Sequence, residues 1–260
     1  MKKLFLLFAA AGLLLASCSS DDNGYENGDN GNGNGNGNRK LPSKISFSAP
    51  AEDGSGLLSW YMQFEYDDQK RLVKYIEQGT WARITHEFLY ETGNFPTKII
   101  INAVHNSDGT HSFTNKVEIE YTGNQIIITQ NFEGVDESRT STQTLIVNAN
   151  NQLINSGAGV FEYNSNGNIS TIVWEDAQTV TFVYSNAKAV FRYANVPSWL
   201  MQWFFEGFFP EQGYMPAGIY RDGERTMTLT YTLEGDFVKT RTWISGDWEE
   251  VSVFEYINAK

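Results

Sequence analysis

His105 and His111 flank the segment Asn106-Ser107-Asp108-Gly109-Thr110. Folded back on itself, that segment brings two imidazoles and the Asp108 carboxylate together, a donor set that zinc accepts. The same residues serve a hairpin whose tip needs Asp-Gly, and the turn is the simpler reading. His86 stands in Ile84-Thr85-His86-Glu87-Phe88, in phase with Ile84 and Phe88. No second histidine follows at the spacing of a metalloprotease helix, so a buried, hydrogen-bonded imidazole is expected there. Glu65, Glu120, Glu162 and Glu255 are candidates for the paired carboxylates of glycoside hydrolysis. All four hold one place in a repeat, which predicts a solvated sheet face instead. The sequence contains no G-x-S-x-G, phosphate loop or dinucleotide fingerprint. No catalytic residue, metal ligand or cofactor is assigned, and the chain is not expected to be an enzyme.

The aromatic residues offer binding chemistry. The candidates are Trp81, Trp174, Trp243 and Trp248; the last three sit near strand ends, where exposed rings can stack on sugars with little loss of entropy. Core filling and edge covering are the competing uses. Trp81 shares the phase of Arg83, Thr85 and Glu87, the polar set.

One unit recurs along the chain: an apolar residue, any residue, Tyr, then a polar turn. It reads Phe64-Glu65-Tyr66-Asp67, Phe88-Leu89-Tyr90, Ile119-Glu120-Tyr121, Phe161-Glu162-Tyr163-Asn164-Ser165-Asn166-Gly167, Phe182-Val183-Tyr184, Leu229-Thr230-Tyr231 and Phe254-Glu255-Tyr256. Leu145-Ile146-Val147-Asn148 is a copy with Val in the Tyr place. Residues i and i+2 of a strand share a face, so the apolar residue and Tyr point one way and the residue between them the other. Asn, Asp and Gly supply the turns, giving an antiparallel meander of about 14 to 16 strands. So long a meander curls, and closure removes its edges. An all-β fold is therefore expected over 41–260, an up-and-down meander forming a water-soluble barrel or half-barrel. One segment breaks the period of two: Pro197-Ser198-Trp199-Leu200-Met201-Gln202-Trp203-Phe204-Phe205-Glu206-Gly207. It predicts one short helix near 198–206, capped by Ser198 and Gly207, with Leu200, Trp203 and Phe204 on one stripe, closing an open end of the sheet.

The N-terminus gives an address. Lys2 and Lys3 precede an apolar run from Leu4 to Ala16, too short to span a bilayer, which closes on Leu15-Ala16-Ser17-Cys18. Residues 1–17 read as a lipoprotein signal peptide and Cys18 as the lipidated residue. Three acyl chains there hold the protein on a membrane. Residues 18–40, with Asn and Gly alternating from Asn30 to Asn38, read as a flexible tether with a reach on the order of 25 Å. The acidic pair Asp21-Asp22 points to export to the outer face of the outer membrane, with the periplasmic face as the alternative. Cys18 is the only cysteine, so its lipidation leaves the domain no thiol for a disulfide, a nucleophile or zinc. The formal charge of -12 argues against nucleic acid, whose binding requires phosphate neutralisation.

The lipobox, the polar tether, the Tyr-(Asn/Asp)-x-x-Gly/Asn hairpins and the late helix before Met215-Pro216-Ala217-Gly218-Ile219 form one order of elements. That order resembles gut-bacterial lipoproteins of unknown function with a porin-like fold, over Leu41 to Lys260. The hairpin motif by itself is shared with bacterial YD-type repeats. The resemblance implies a barrel-like antiparallel sheet and neither an established activity nor catalytic residues. The expected function is binding of an extracellular glycan or peptide by a surface-anchored domain. The alternative is a structural partner of an outer-membrane transport complex.

Overall fold

The computed structural model describes residues 39–51, 56–107, 109–134, 137–205, 208–210 and 212–259. Sixteen strands follow in chain order: β1 (Lys40–Pro50), β2 (Leu57–Tyr66), β3 (Leu72–Gln78), β4 (Ala82–Leu89), β5 (Lys98–His105), β6 (His111–Thr122), β7 (Gln125–Gly134), β8 (Ser138–Val147), β9 (Leu153–Asn155), β10 (Gly159–Tyr163), β11 (Ile169–Trp174), β12 (Thr179–Lys188), β13 (Tyr214–Arg221), β14 (Glu224–Glu234), β15 (Phe237–Ser245) and β16 (Trp248–Asn258). Each pairs antiparallel with its sequence neighbours, and β1 pairs with β16 from Lys40↔Asn258 to Ser48↔Val251. The meander is a closed barrel, and among the described residues no edge strand is left to template aggregation.

The repeat has a local cause. In three turns the residue after the Tyr or Val position is Asp or Asn. Its side-chain oxygen accepts the amides two and four residues on: Asp67 from Gln69 and Arg71, Asn148 from Asn150 and Gln152, Asn164 from Asn166 and Asn168. The residue before the chain turns back has a positive φ, at Lys70, Asn151 and Gly167. The tyrosines then lock the strands. Tyr66, Tyr90, Tyr121, Tyr163, Tyr184, Tyr231 and Tyr256 each donate a hydroxyl to a backbone carbonyl at the start of the preceding strand or just before it. The acceptors are Pro42, Leu72, Pro96, Leu153, Ile169, Pro216 and Val238. Val147 keeps the buried place of its unit without the hydroxyl. The register shift there, between Ile146 and Val147, matches those at Glu65/Tyr66, Glu162/Tyr163 and Val183/Tyr184.

Burial pushes the phenols of Tyr66, Tyr90, Tyr121, Tyr231 and Tyr256 well above their ordinary value of 10.0. A phenol raised in the fold adds stability that is complete below its unfolded value and is lost as pH rises past it. These five tyrosines are therefore expected to ionise only as the barrel unfolds, in one cooperative step above about pH 10. Phenolate absorbance followed alongside far-ultraviolet circular dichroism checks this. Stepwise ionisation with the sheet intact would contradict it.

The wall is apolar inside and largely polar outside, with scattered exposed valines and isoleucines such as Val160, Val173 and Ile244. Ile45, Phe47, Met62, Phe64, Phe88, Ile99, Val117, Ile128, Leu145, Phe161, Phe182, Leu229 and Phe254 are buried in one core. The four repeat glutamates, Glu65, Glu120, Glu162 and Glu255, are exposed on the outer face. Outward lysines meet glutamates across strands, in Lys74–Glu87, Lys98–Glu118, Lys116–Glu133 and Lys44–Glu255. Such exposed pairs add little stability. Their meaning is the solvent: a lysine on a lipid-facing wall costs about 2–4 kcal/mol at mid-bilayer, and this wall carries several. The dressing is the reverse of a membrane-spanning barrel's.

Sixteen strands enclose more space than their own side chains fill. The connection between β12 and β13 fills it. Ala189, Val190, Phe191 and Val196 are buried, and helix α1 (Ser198–Phe205) follows. The helix carries no single apolar stripe. Trp199, Leu200, Met201, Gln202 and Phe205 are all buried, while Trp203 and Phe204 are half-buried. A helix surrounded by wall needs apolar residues all round. Its polar residue is spoken for, since Gln202 Oε1 accepts the Leu153 amide at 2.8 Å and its Nε2 donates to Ser198 Oγ at 2.9 Å. The Trp199 amide donates to Asn151 O, and Pro197 O accepts the Leu200 and Met201 amides, so Pro197 holds the cap place expected for Ser198, whose hydroxyl takes Gln202 instead. The expected cap Gly207 lies outside the described residues, as do Asp108, Cys18 and the whole of 1–38.

Candidate functional site

The strand order places both the start of β1 and the end of β16 at one end of the barrel, together with the helical plug. The turns between β1 and β2, β3 and β4, and β15 and β16 lie at the other end. A cavity of about 440 Å³ opens there. Its wall is one continuous arc of β15, β16, β1, β2, β3 and β4, and its floor is the plug, through Phe204, Phe205, Phe208 and Phe209. Phe47 and Trp60, cross-strand partners on β1 and β2, stack at 5.5 Å on the wall.

Three of the four tryptophans expected from the sequence converge on this cavity: Trp81, Trp243 and Trp248. Trp81 projects from the turn between β3 and β4 and is 82% exposed, so its indole borders the mouth. Trp248 opens β16, and Trp243 packs against Phe208 at 5.7 Å. Trp174 lies elsewhere. It packs on Phe161 and covers Gly159, where a β-carbon would stand 2.9 Å from the indole.

The sequence reading missed the charged groups of the wall. Arg241 is 2% exposed and is held by Glu250 Oε1 at 3.2 Å and Ser252 Oγ at 3.1 Å. Its guanidinium lies 4.8 Å from the Phe209 ring centre and 5.9 Å from that of Phe47. Burial pushes the Glu250 carboxyl up from its ordinary value, and the Arg241 charge and the Ser252 hydroxyl offset that only in part. Arg241, Glu250 and Glu77 all line the cavity. The signal for them was available. Alternate positions counted back from Phe254 are Ser252, Glu250 and Trp248, and Arg241 shares the phase of Trp243. A charge on the inward phase of an apolar strand marks a group with a task.

His86 is buried as expected, but the expected hydrogen bond is missing: neither ring nitrogen has a hydrogen-bond partner among the described residues. Its ring stacks on Tyr75 at 4.8 Å, and Nε2 lies 3.3 Å from Glu77 Oε1. Burial, then the charge of Glu77, raises the Tyr75 phenol well above its ordinary value. His105 and His111 stand in the hairpin between β5 and β6, where the Gly109 amide donates to His105 O and His111 Nε2 lies 3.3 Å from Thr114 Oγ1. No group of three metal-binding side chains forms among the described residues.

An apolar, aromatic cavity with a few convergent charged groups is the ordinary form of a small-molecule site. Its charged side chains are Arg241, Glu250 and Glu77. No protein-family model matches the sequence, and no curated protein matches it. Crystal structures similar to the chain include two of porin-like proteins. One is of a porin-like protein from Bacteroides vulgatus ATCC 8482, at 9% identity, covering 84% of this chain and 99% of that one, with a TM-score of 0.41. The other is of a porin-like protein from Bacteroides uniformis ATCC 8492, at 12% identity, covering 83% and 98%, with a TM-score of 0.39.

Proposed function

We propose that this protein is a lipid-anchored, non-catalytic binding module of the bacterial outer membrane that captures an extracellular ligand in the mouth of its barrel. The observation that carries this is the convergence of Trp81, Trp243 and Trp248 on one cavity at the end opposite the start of β1 and the end of β16. A chain tethered through Cys18 would hold that mouth away from the membrane and toward the medium. Of the two ligand classes expected from sequence, glycan and peptide, the phenylalanine floor favours an apolar group such as a peptide side chain, while the exposed Trp81 suits a ring or a sugar face.

The test uses the apolar fluorophore anilinonaphthalene sulfonate, with glycan and peptide arrays to find native ligands. The probe is expected to brighten on binding. Trp81→Ala and Trp248→Ala are expected to weaken it several-fold. Trp81→Ala should leave stability within about 0.5 kcal/mol, because its side chain is already in water. Silence of both probe and arrays would remove the reading.

A second reading, docking against an outer-membrane protein, draws on the outer wall. Val160 and Val173 are register partners there, and both are exposed, as is Val183 on the next strand. Crosslinking on intact cells that recovers no consistent neighbour counts against it.

A further inference from the structure

We propose that the cavity takes an amphiphile whose apolar body lies on the phenylalanine floor and whose carboxylate docks on Arg241 and Trp243. This rests on the cavity being a binding site and names the chemistry it selects. Among the residues that line the cavity, those with a buried polar atom left without a partner are Arg241, at Nη1, and Trp243, at Nε1. Both atoms are donors. They belong to residues two apart on β15, which face the same side of the sheet. A buried donor without an acceptor is expensive, and two of them on one strand face lining one cavity mark the place of a missing acceptor. A guanidinium with one edge still free matches a carboxylate better than it matches a neutral oxygen. The Phe47–Trp60 stack and the floor of Phe204, Phe205, Phe208 and Phe209 give the rest of the ligand an apolar surface. A cationic head would meet Arg241 at the same wall and be repelled. Of the two carboxylates on the lining, Glu250 is already engaged by Arg241 and Ser252, and Glu77 stands on β3, with β16, β1 and β2 between it and β15, against His86.

The experiment is calorimetric titration of the protein with decanoate, decanol and decylamine, which share a tail and differ in the head. Decanoate is expected to bind at least about tenfold more tightly than the other two, in line with a charge-assisted hydrogen bond. Trp243→Phe keeps a ring and removes the donor. It should weaken decanoate by about tenfold and leave decanol unchanged. Arg241→Met combined with Glu250→Leu removes the whole pair without stranding a charge, and should abolish the preference among heads. If all three compounds bind alike and Trp81→Ala weakens all of them, the head-group assignment is overturned while the cavity remains a binding site. Tighter binding of decylamine overturns it in the same way. If none of the three binds, the assignment falls together with the cavity reading beneath it.

Discussion

Trp199→Ala is expected to destabilise the barrel by about 3 kcal/mol, the lower end of the range for a buried tryptophan. Trp199 is 0% exposed, within ring contact of Tyr121 at 6.1 Å and Trp203 at 6.4 Å. It therefore joins the plug to the wall at β6, and truncation leaves a void that neither side can collapse to fill. The lower end applies because the indole Nε1 has no partner, so truncation also removes an unmet donor worth about 1–3 kcal/mol. Trp199→Phe separates the two contributions. It keeps most of the packing and loses the N–H, and it should cost less than half as much. Urea unfolding of the three proteins decides the matter. A loss under about 1 kcal/mol for Trp199→Ala would mean that the plug is a detachable insert. The floor of the cavity would then be mobile, and a rigid ligand site there would be untenable.

How much of this was legible in the sequence depends on the period. The Phe-x-Tyr units stated strand, face and turn at once, because alternation and Asx turns are local properties. The helix was legible as a break in that period, and it begins at Ser198 as expected. What the tyrosine hydroxyls do was not legible. Each reaches a carbonyl on the strand before it or just ahead of that strand, in several cases more than fifteen residues back, and no local pattern encodes the acceptor. Closure was equally hidden, since nothing near Lys40 says that its partner is Asn258. The site was half visible. Tryptophans near strand ends drew notice as residue types, but the sequence cannot say that β3, β4, β15 and β16 meet around one opening while β11 does not. That is why Trp174 kept company with Trp81, Trp243 and Trp248 until the strand order separated them. Arg241 and Glu250 were overlooked for a different reason. Charged residues in these strands mostly belong to the outer face, and only phase, counted from Phe254 for Glu250 and from Trp243 for Arg241, sets these two apart.

Arg241→Met is expected to cost about 3–5 kcal/mol near pH 8, as large an effect as any single change in this protein, because it strands the Glu250 carboxylate in an apolar wall. Both side chains are almost completely buried, so solvent screening does not soften the loss. The penalty should also depend on pH. Glu250 already titrates above its ordinary 4.5 in the fold, through burial, with Arg241 holding it partly down. Removing Arg241 raises it further. A carboxyl raised in the fold contributes stability that is complete below its unfolded value and is lost as pH climbs through the folded one. The variant should therefore approach the parent at about pH 4 and fall away from it toward pH 8. Adding Glu250→Leu should recover most of the loss at pH 8, leaving about 1 kcal/mol for the Ser252 hydroxyl that both residues now satisfy. Denaturant unfolding at the two pH values checks all three proteins. A single variant with no pH dependence would mean that Glu250 finds another partner. Recovery in the double variant carries the larger point. An ion pair that the barrel can replace by hydrocarbon is not kept for stability, and a double variant that folds as well as its parent yet no longer prefers decanoate would locate the use of the pair in the ligand.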